Sequence, residues 1–200
     1  EPHAAHAAVK FALPRSPTVY LIGLIALLCM VPEGAVLDWA ALYLRQDHGT
    51  SLAVASFAFA CYAGAMAISR FMGDRIRDRF GAVRTLRISA LISAGGLFVA
   101  GVAPWPWLAI LAFAITGFAI ANTVPIAFSA AGNQPGIASS TGMSVVTTMG
   151  YSGILLAPSP IGFVAQHAGF SPVFIGLSIC LVAVALVAGL AHAADYDHGK

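Results

Sequence analysis

Charge is what this sequence has least of. Asp, Glu, Lys and Arg make up 9% of its 200 residues, against roughly a quarter in ordinary soluble domains. From Ile88 to Ala194 not one of them occurs. A soluble fold of that size covers itself with Lys and Glu, so the surface of this stretch must meet something apolar, and a lipid bilayer is the economical partner. The net charge of +2 is too small to point to nucleic acid. Cysteine is scarce as well: Cys29, Cys61 and Cys180 stand singly in apolar runs. They read as small core or lipid-facing residues rather than a disulfide frame or metal site. His48, His167 and His192 are too scattered to form a metal-ligand set. No phosphate-binding loop is present, so an ATP-driven pump is unsupported and no cofactor is expected. The sequence opens without Met or a signal-peptide pattern. Residues 1–17, with three Pro and two His, read as a linker or cytoplasmic segment entering from a missing upstream region.

What is abundant is apolar: 59% of residues, with a mean hydropathy of +0.86. A bilayer core needs about 20 such residues per helix, and breaker clusters cut the chain into six pieces of that size. The expected spans cover about 18–44, 51–72, 86–102, 107–130, 139–164 and 172–194, giving a six-helix domain over 18–194 and a cytoplasmic tail over 195–200. Membrane strands are shorter and alternate in polarity, so the expected class is all-α, an integral membrane bundle. Lys and Arg collect on the cytoplasmic side of such bundles. Six spans place Lys10, Arg15, Arg70, Arg75, Arg77, Arg79, Arg84, Arg87 and Lys200 on one side and only Arg45 on the other. Both termini are therefore expected in the cytoplasm, with the bundle in the plasma (inner) membrane. Trp105 and Trp107 suit the outer interface.

The strongest local anomaly is Met30-Val31-Pro32-Glu33-Gly34-Ala35-Val36-Leu37-Asp38-Trp39. Glu33 lies near mid-span, where a carboxylate normally faces a protein interior or a water-filled cavity. Pro32 removes a backbone donor and Gly34 loosens the turn, so a bend is expected there. At ~100° per residue Asp38 points ~140° away from Glu33, so the two acids are not a paired site. Glu33 is either a proton-coupling or substrate-binding group, or a protonated side chain bonded to a neighbouring helix. Asp38 fits better near the outer interface. The fourth span carries Asn122 beside Pro125, and matching broken helices in the two triplets of a three-plus-three arrangement point to a transporter site. In the fifth span Gly150 and Gly153 suit close helix packing, and Tyr151 is available to a ligand or to structure. Gly64, Ala65 and Ala67 read as packing residues.

The segment Gly73-Asp74-Arg75-Ile76-Arg77-Asp78-Arg79-Phe80-Gly81-Ala82-Val83-Arg84 resembles the signature loop of the major facilitator superfamily, which joins the second and third helices of each six-helix half. Asp78-Arg79-Phe80-Gly81 fits its Asp-Arg-any-Gly core, while Gly73 falls one place early and Ala82-Val83 replace a usual basic pair. Arg70, Gly73-Asp74, Glu33-Gly34, Asp38-Trp39, Tyr43-Leu44, Asn122, Pro125 and Gly150-Tyr151 look more like the fucose-permease-like branch and best fit its C-terminal half. The resemblance implies half of a major facilitator fold, a 3+3 inverted repeat. It also implies secondary active transport of a small solute, sugar-like and proton-coupled, by alternating access with an N-terminal six-helix half. Arg70, Gly73, Asp74, Asp78, Arg79, Gly81 and Arg84 would form a cytoplasmic gating loop, with Asp74 (or Asp78 in the other register) latching onto a helix N-terminus. The first, second, fourth and fifth helices would line the cavity, and the third and sixth would face lipid.

Two other classes compete with this non-enzymatic reading. Gly150-Tyr151-Ser152-Gly153 matches the Gly-any-Ser-Gly of rhomboid-like intramembrane proteases, with Ser152 as nucleophile and His192 as base. A membrane scaffold that transports nothing is the third.

Overall fold

The computed structural model describes residues 14 and 16–195, so Lys10, Arg15 and Lys200 lie outside it. The described residues form helices and no strand: α1 (Pro17–Gln46), α2 (Leu52–Phe80), α3 (Ala82–Gly101), α4 (Pro106–Ile120), α5 (Thr123–Gly132), α6 (Ser139–Leu156), α7 (Pro158–Ala168) and α8 (Ser171–Val187), with a 3-10 segment from Ala188 to Asp195. They pair up into the six expected segments. Five of these are long and apolar enough to cross a membrane: α1, α2, α3, the α4–α5 rod and α8 with its 3-10 tail. The sixth, α6–α7, is the exception. Its first part carries Ser139, Ser140, Thr141, Ser144, Thr147 and Thr148 and is divided from α7 at Ala157.

Prolines explain both divisions, since each removes the N–H that would serve the carbonyl four residues earlier. Pro125 leaves the carbonyl of Ala121 unserved, and α4 stops at Ile120. The Thr123 hydroxyl then donates to the Ile120 carbonyl at 2.7 Å, taking up another group freed at the break. Pro158 and Pro160 do the same to Ile154 and Leu156. By contrast α1 runs as one helix through Pro32, so the matching pair of broken helices expected in the first and fourth spans is replaced by breaks in the fourth and fifth.

The largest departure from expectation is at the basic end. The segment read as a loop from Gly73 onward is the last two turns of α2, and the connection to α3 is Gly81 alone. Its φ of 78° is one that a side chain resists, which is why the turn needs glycine.

Between bilayer-embedded helices there is little hydrophobic driving force, so close packing and satisfied polar groups hold the bundle. α1 and α6 fit by reciprocal notches: Met149 of α6 fills the space over Gly23, and Met30 of α1 fills the space over Gly150. Two buried clusters result. One, at the basic end, joins Val19–Cys29 of α1 with Leu86, Ile126, Val146 and Val184. The other, at the opposite end, joins Val36–Leu44 with Tyr62, Leu97, Phe113 and Phe174. Within it Tyr43 stands edge-on to Phe113 and Phe174, at 6.1 and 5.1 Å between ring centres. Its hydroxyl donates to the Ala100 carbonyl at 2.6 Å. Glu33 lies on α1 between the two clusters.

Candidate functional site

Arg70 is the side chain that answers Glu33. It extends from α2, and its Nη2 donates to Glu33 Oε1 at 2.8 Å. The pair is unequal: the Glu33 side chain is 16% exposed and Arg70 53%. Glu33 Oε2 is buried and has no hydrogen-bond partner among the described residues. A second tie holds the backbone, where the buried Tyr62 hydroxyl donates to the Glu33 carbonyl at 3.3 Å. α2 thus grips α1 beside Pro32 through both a side chain and a carbonyl.

The pair borders a cavity of about 230 Å³ lined by Met30, Glu33, Gly34, Leu37, Arg70, Val124, Phe128, Tyr151 and Ile154. Its walls come from the first, second, fourth and fifth segments, the set that the family resemblance assigns to the cavity. The third and sixth contribute none. Mostly apolar walls around one charged pair are chemically suited to orient a small solute through few polar contacts.

The other candidates separate. Tyr151 is in this cavity, and its side chain is largely exposed. Asp38 is exposed and lies by a second recess, among Val31, Trp39, Ala157 and Ile161. Asn122 does not line the cavity. Its Nδ2 donates to Ser69 Oγ at 3.0 Å, both residues being buried, and its Oδ1 sits against Gly73. Asn122 therefore seats α2 one residue from Arg70, a positioning contact. Ser152 and His192 are not bonded to each other: Ser152 donates to the Met149 carbonyl, and the His192 ring meets the Gly189 carbonyl.

Of the residues expected in a gating loop, Arg70 belongs to the ion pair. Gly73, Asp74, Asp78 and Arg79 ride on α2, with Arg79 5.6 Å from the Phe80 ring centre. Arg84 is exposed on the first turn of α3. At the basic end the carboxylate that meets a helix N-terminus is Asp195, which accepts from the amides of Ala82 and Val83; at the opposite end Asp47 accepts from the Phe170 amide. Arg77 donates to Ser129 Oγ and to the Ala194 carbonyl, both at 2.9 Å. Sequence reading missed the pairing of Glu33 with Arg70 and the roles of Tyr62, Arg77, Asp47 and Asp195. A signal for the first existed: Arg70 falls inside the expected second span, and a buried carboxylate demands a cation.

Residues 19–198 match the family model described as Major Facilitator Superfamily. The chain belongs to the major facilitator superfamily. It is an integral membrane protein. An uncharacterized MFS-type transporter of Yersinia pestis is 37% identical over 180 residues, 90% of this chain and 47% of the relative. Membrane protein MosC of Rhizobium meliloti is 31% identical over 155 residues, 78% of this chain and 38% of that protein. The chain thus spans less than half the length of these relatives. Among solved structures, the peptide transporter POT, crystallised with alafosfalin, superposes with a TM-score of 0.78 at 16% identity over 89% of this chain and 40% of that one. That likeness shows the shared fold.

Proposed function

We propose that this chain is the C-terminal half of a secondary transporter. In this reading it works by alternating access with an N-terminal six-helix half and binds a small solute against Glu33, Arg70 and Tyr151. The observation that carries the reading is the ion pair between the two buried clusters, in a cavity walled by four segments. Charges inside a bilayer are costly and mark substrate or proton paths. Glu33, with one oxygen on Arg70 and the other without a partner among the described residues, is the proton-coupling group. The basic end, with Arg75, Arg77, Arg79, Arg84 and Arg87, is cytoplasmic by the positive-inside rule. Asp74 at the end of α2, or Asp78 in the other register, is the carboxylate that latches onto the other half there.

The test uses the full-length transporter in liposomes loaded with a pH-sensitive dye. Small polar solutes, hexoses included, are added under an imposed pH gradient. A subset should trigger proton entry in the wild type, and Glu33→Gln should reduce that entry by about a hundredfold or more, the usual weight of one positioned proton-transfer group. Undiminished entry in Glu33→Gln removes Glu33 from coupling. A wild type silent to every solute counts against proton symport.

A further inference from the structure

The third and sixth segments give the cavity no wall, and their own outward side is apolar. Ile88, Leu91 and Ile92 are exposed on α3, and Val182 and Leu186 on α8, Leu186 to 78%. In an integral membrane protein such a surface lies against acyl chains, which are as apolar as leucine. α3 packs along α8 and its 3-10 tail, and the two form a seam on this side.

Arg87 is exposed and interrupts that apolar side, about 9 Å along α3 from Gly81 at a rise of ~1.5 Å per residue. Its Nε donates to the Ala185 carbonyl of α8 at 3.2 Å, so the guanidinium bridges the two helices. That bond uses one N–H of the five a guanidinium carries. Those on Nη1 and Nη2 meet no acceptor among the described residues. Arg84, one turn earlier on the same side of α3, is exposed and bonds to no described residue. Neither arginine has a carboxylate partner among the described residues. Asp195, the acid at the start of α3, is taken by the Ala82 and Val83 amides. One turn past Ala185 the sixth segment presents Gly189, where a side chain would meet nothing within 4 Å, so no neighbour covers the seam there.

Two cations without counter-ions beside an apolar surface call for an anion that brings its own apolar chains. Guanidinium Nη groups match phosphate oxygens in parallel pairs, and basic pockets between membrane helices suit lipid headgroups. A soluble anion would answer the arginines and leave Ile88, Leu91 and Leu186 bare. We infer that the seam between α3 and α8 binds an anionic phospholipid, its phosphate on Arg87 and Arg84 and its acyl chains along those three side chains. Arg87, tied to both helices, is the anchor, and Arg84 is the second contact. With the basic end cytoplasmic, as proposed above, the lipid belongs to the inner leaflet. Nothing in this depends on the solute or on Glu33, and a second half that completes the cavity leaves the seam facing lipid.

Native mass spectrometry of the full-length protein measures the binding. The protein is released from micelles holding equal amounts of phosphatidylglycerol and phosphatidylcholine with matched chains. The wild type should retain phosphatidylglycerol over phosphatidylcholine by about tenfold or more, the weight of two basic side chains at a lipid phosphate. Arg87→Gln should lower phosphatidylglycerol affinity about tenfold, the loss of a charge-assisted contact. Arg87→Lys, which keeps the charge without the fork, should fall between that variant and the wild type. Arg84→Gln breaks no bond among the described residues, so it reads the lipid even where Arg87→Gln unfolds, and it should cost about fivefold. Arg75→Gln removes the same charge from the end of α2 and should leave retention nearly unchanged. Equal retention of the two lipids by the wild type overturns the inference. So does an Arg75→Gln loss as large as that of Arg84→Gln, which would mean attraction to the whole basic end. Displacement of the lipid by millimolar inorganic phosphate would mean an anion site without an acyl seam, and overturns it too.

Discussion

The connections at Gly81 and Gly169 sit at opposite ends of the bundle and solve one problem with the same parts. Each turns on a glycine with φ of 78°. Each then starts a helix whose first amides are met by an Asp from a distant segment. At the basic end Asp195, at the end of the sixth segment, takes the amide of Ala82. At the opposite end Asp47, just past α1, accepts from the Phe170 amide at 2.9 Å. A helix start exposes unsatisfied N–H groups and partial positive charge, so a carboxylate there is stabilising. What differs is the helix that donates the carboxylate. Asp195 ties α3 to the end of the sixth segment, and neither lines the cavity. Asp47 ties α8 to α1, the helix that carries Glu33. One cap joins two segments outside the cavity, and the other joins such a segment to a helix that lines it.

Removing the two carboxylates tests this division most severely. Each Asp→Ala change should cost about 1–2 kcal/mol, the range for lost N-caps. The sites lie at opposite ends with no shared partner, so Asp47→Ala with Asp195→Ala should sum to about 2–4 kcal/mol, read by denaturant unfolding in mixed micelles. Function should divide where stability does not. Asp47→Ala should alter solute-driven proton entry in the full-length protein, and Asp195→Ala should leave the rate per folded molecule near that of the wild type. Equal effects on that rate would erase the distinction between the cap outside the cavity and the cap on a helix that lines it.

The glycines should give a smaller and more even effect. Gly81→Ala and Gly169→Ala force an alanine into the left-handed region at about 1–2 kcal/mol each, partly offset by a stiffer unfolded chain. A Cβ on either would also approach its capping carboxylate, at 3.2 Å from Asp195 and 3.3 Å from Asp47. Since the two sites match in φ and in crowding, their losses in unfolding free energy should agree within about 0.5 kcal/mol, the usual limit of additivity between independent sites. A loss confined to Gly81 would mean that the motif around it carries more than turn geometry.

Both turns fall between expected spans, but only Gly81 lies in a family pattern, Asp78-Arg79-Phe80-Gly81, whereas Ala168-Gly169-Phe170-Ser171 matches none. The physics is shared, but recognition works on residues, and a cap brought from 113 or 123 positions away leaves no local trace. Apolar run length made the segments legible and depth in a span singled out Glu33, since both are local properties. Charge misled at the end of α2: Gly73 to Arg79 read as a loop because it is polar, yet a helix leaving the bilayer keeps its hydrogen bonds wherever nothing interrupts them. Arg70 was grouped with that loop, 37 positions from the carboxylate it holds. The prolines at 125, 158 and 160 did mark the divided segments, whereas Pro32 sits in an unbroken α1 and shows that a proline alone does not decide the matter.

The smallest effect should be that of Arg84, in the arginine cluster, where the comparison sharpens to single side chains. Arg77 bonds α5 through Ser129 and the 3-10 tail through Ala194, next to the residue that caps α3. Arg84 lies exposed beyond that cap. Arg77→Ala should therefore destabilise by about 1.5–3 kcal/mol, as hydrogen bonds to a charged group do. Arg84→Ala should fall within about 0.5 kcal/mol, as surface changes do. Both remove one positive charge from the same end, so orientation in the membrane should respond alike to each. Unfolding in mixed micelles separates the two roles: equal losses would mean that the arginines act as a charge cluster, and unequal ones that Arg77 is the brace that keeps Asp195 on α3.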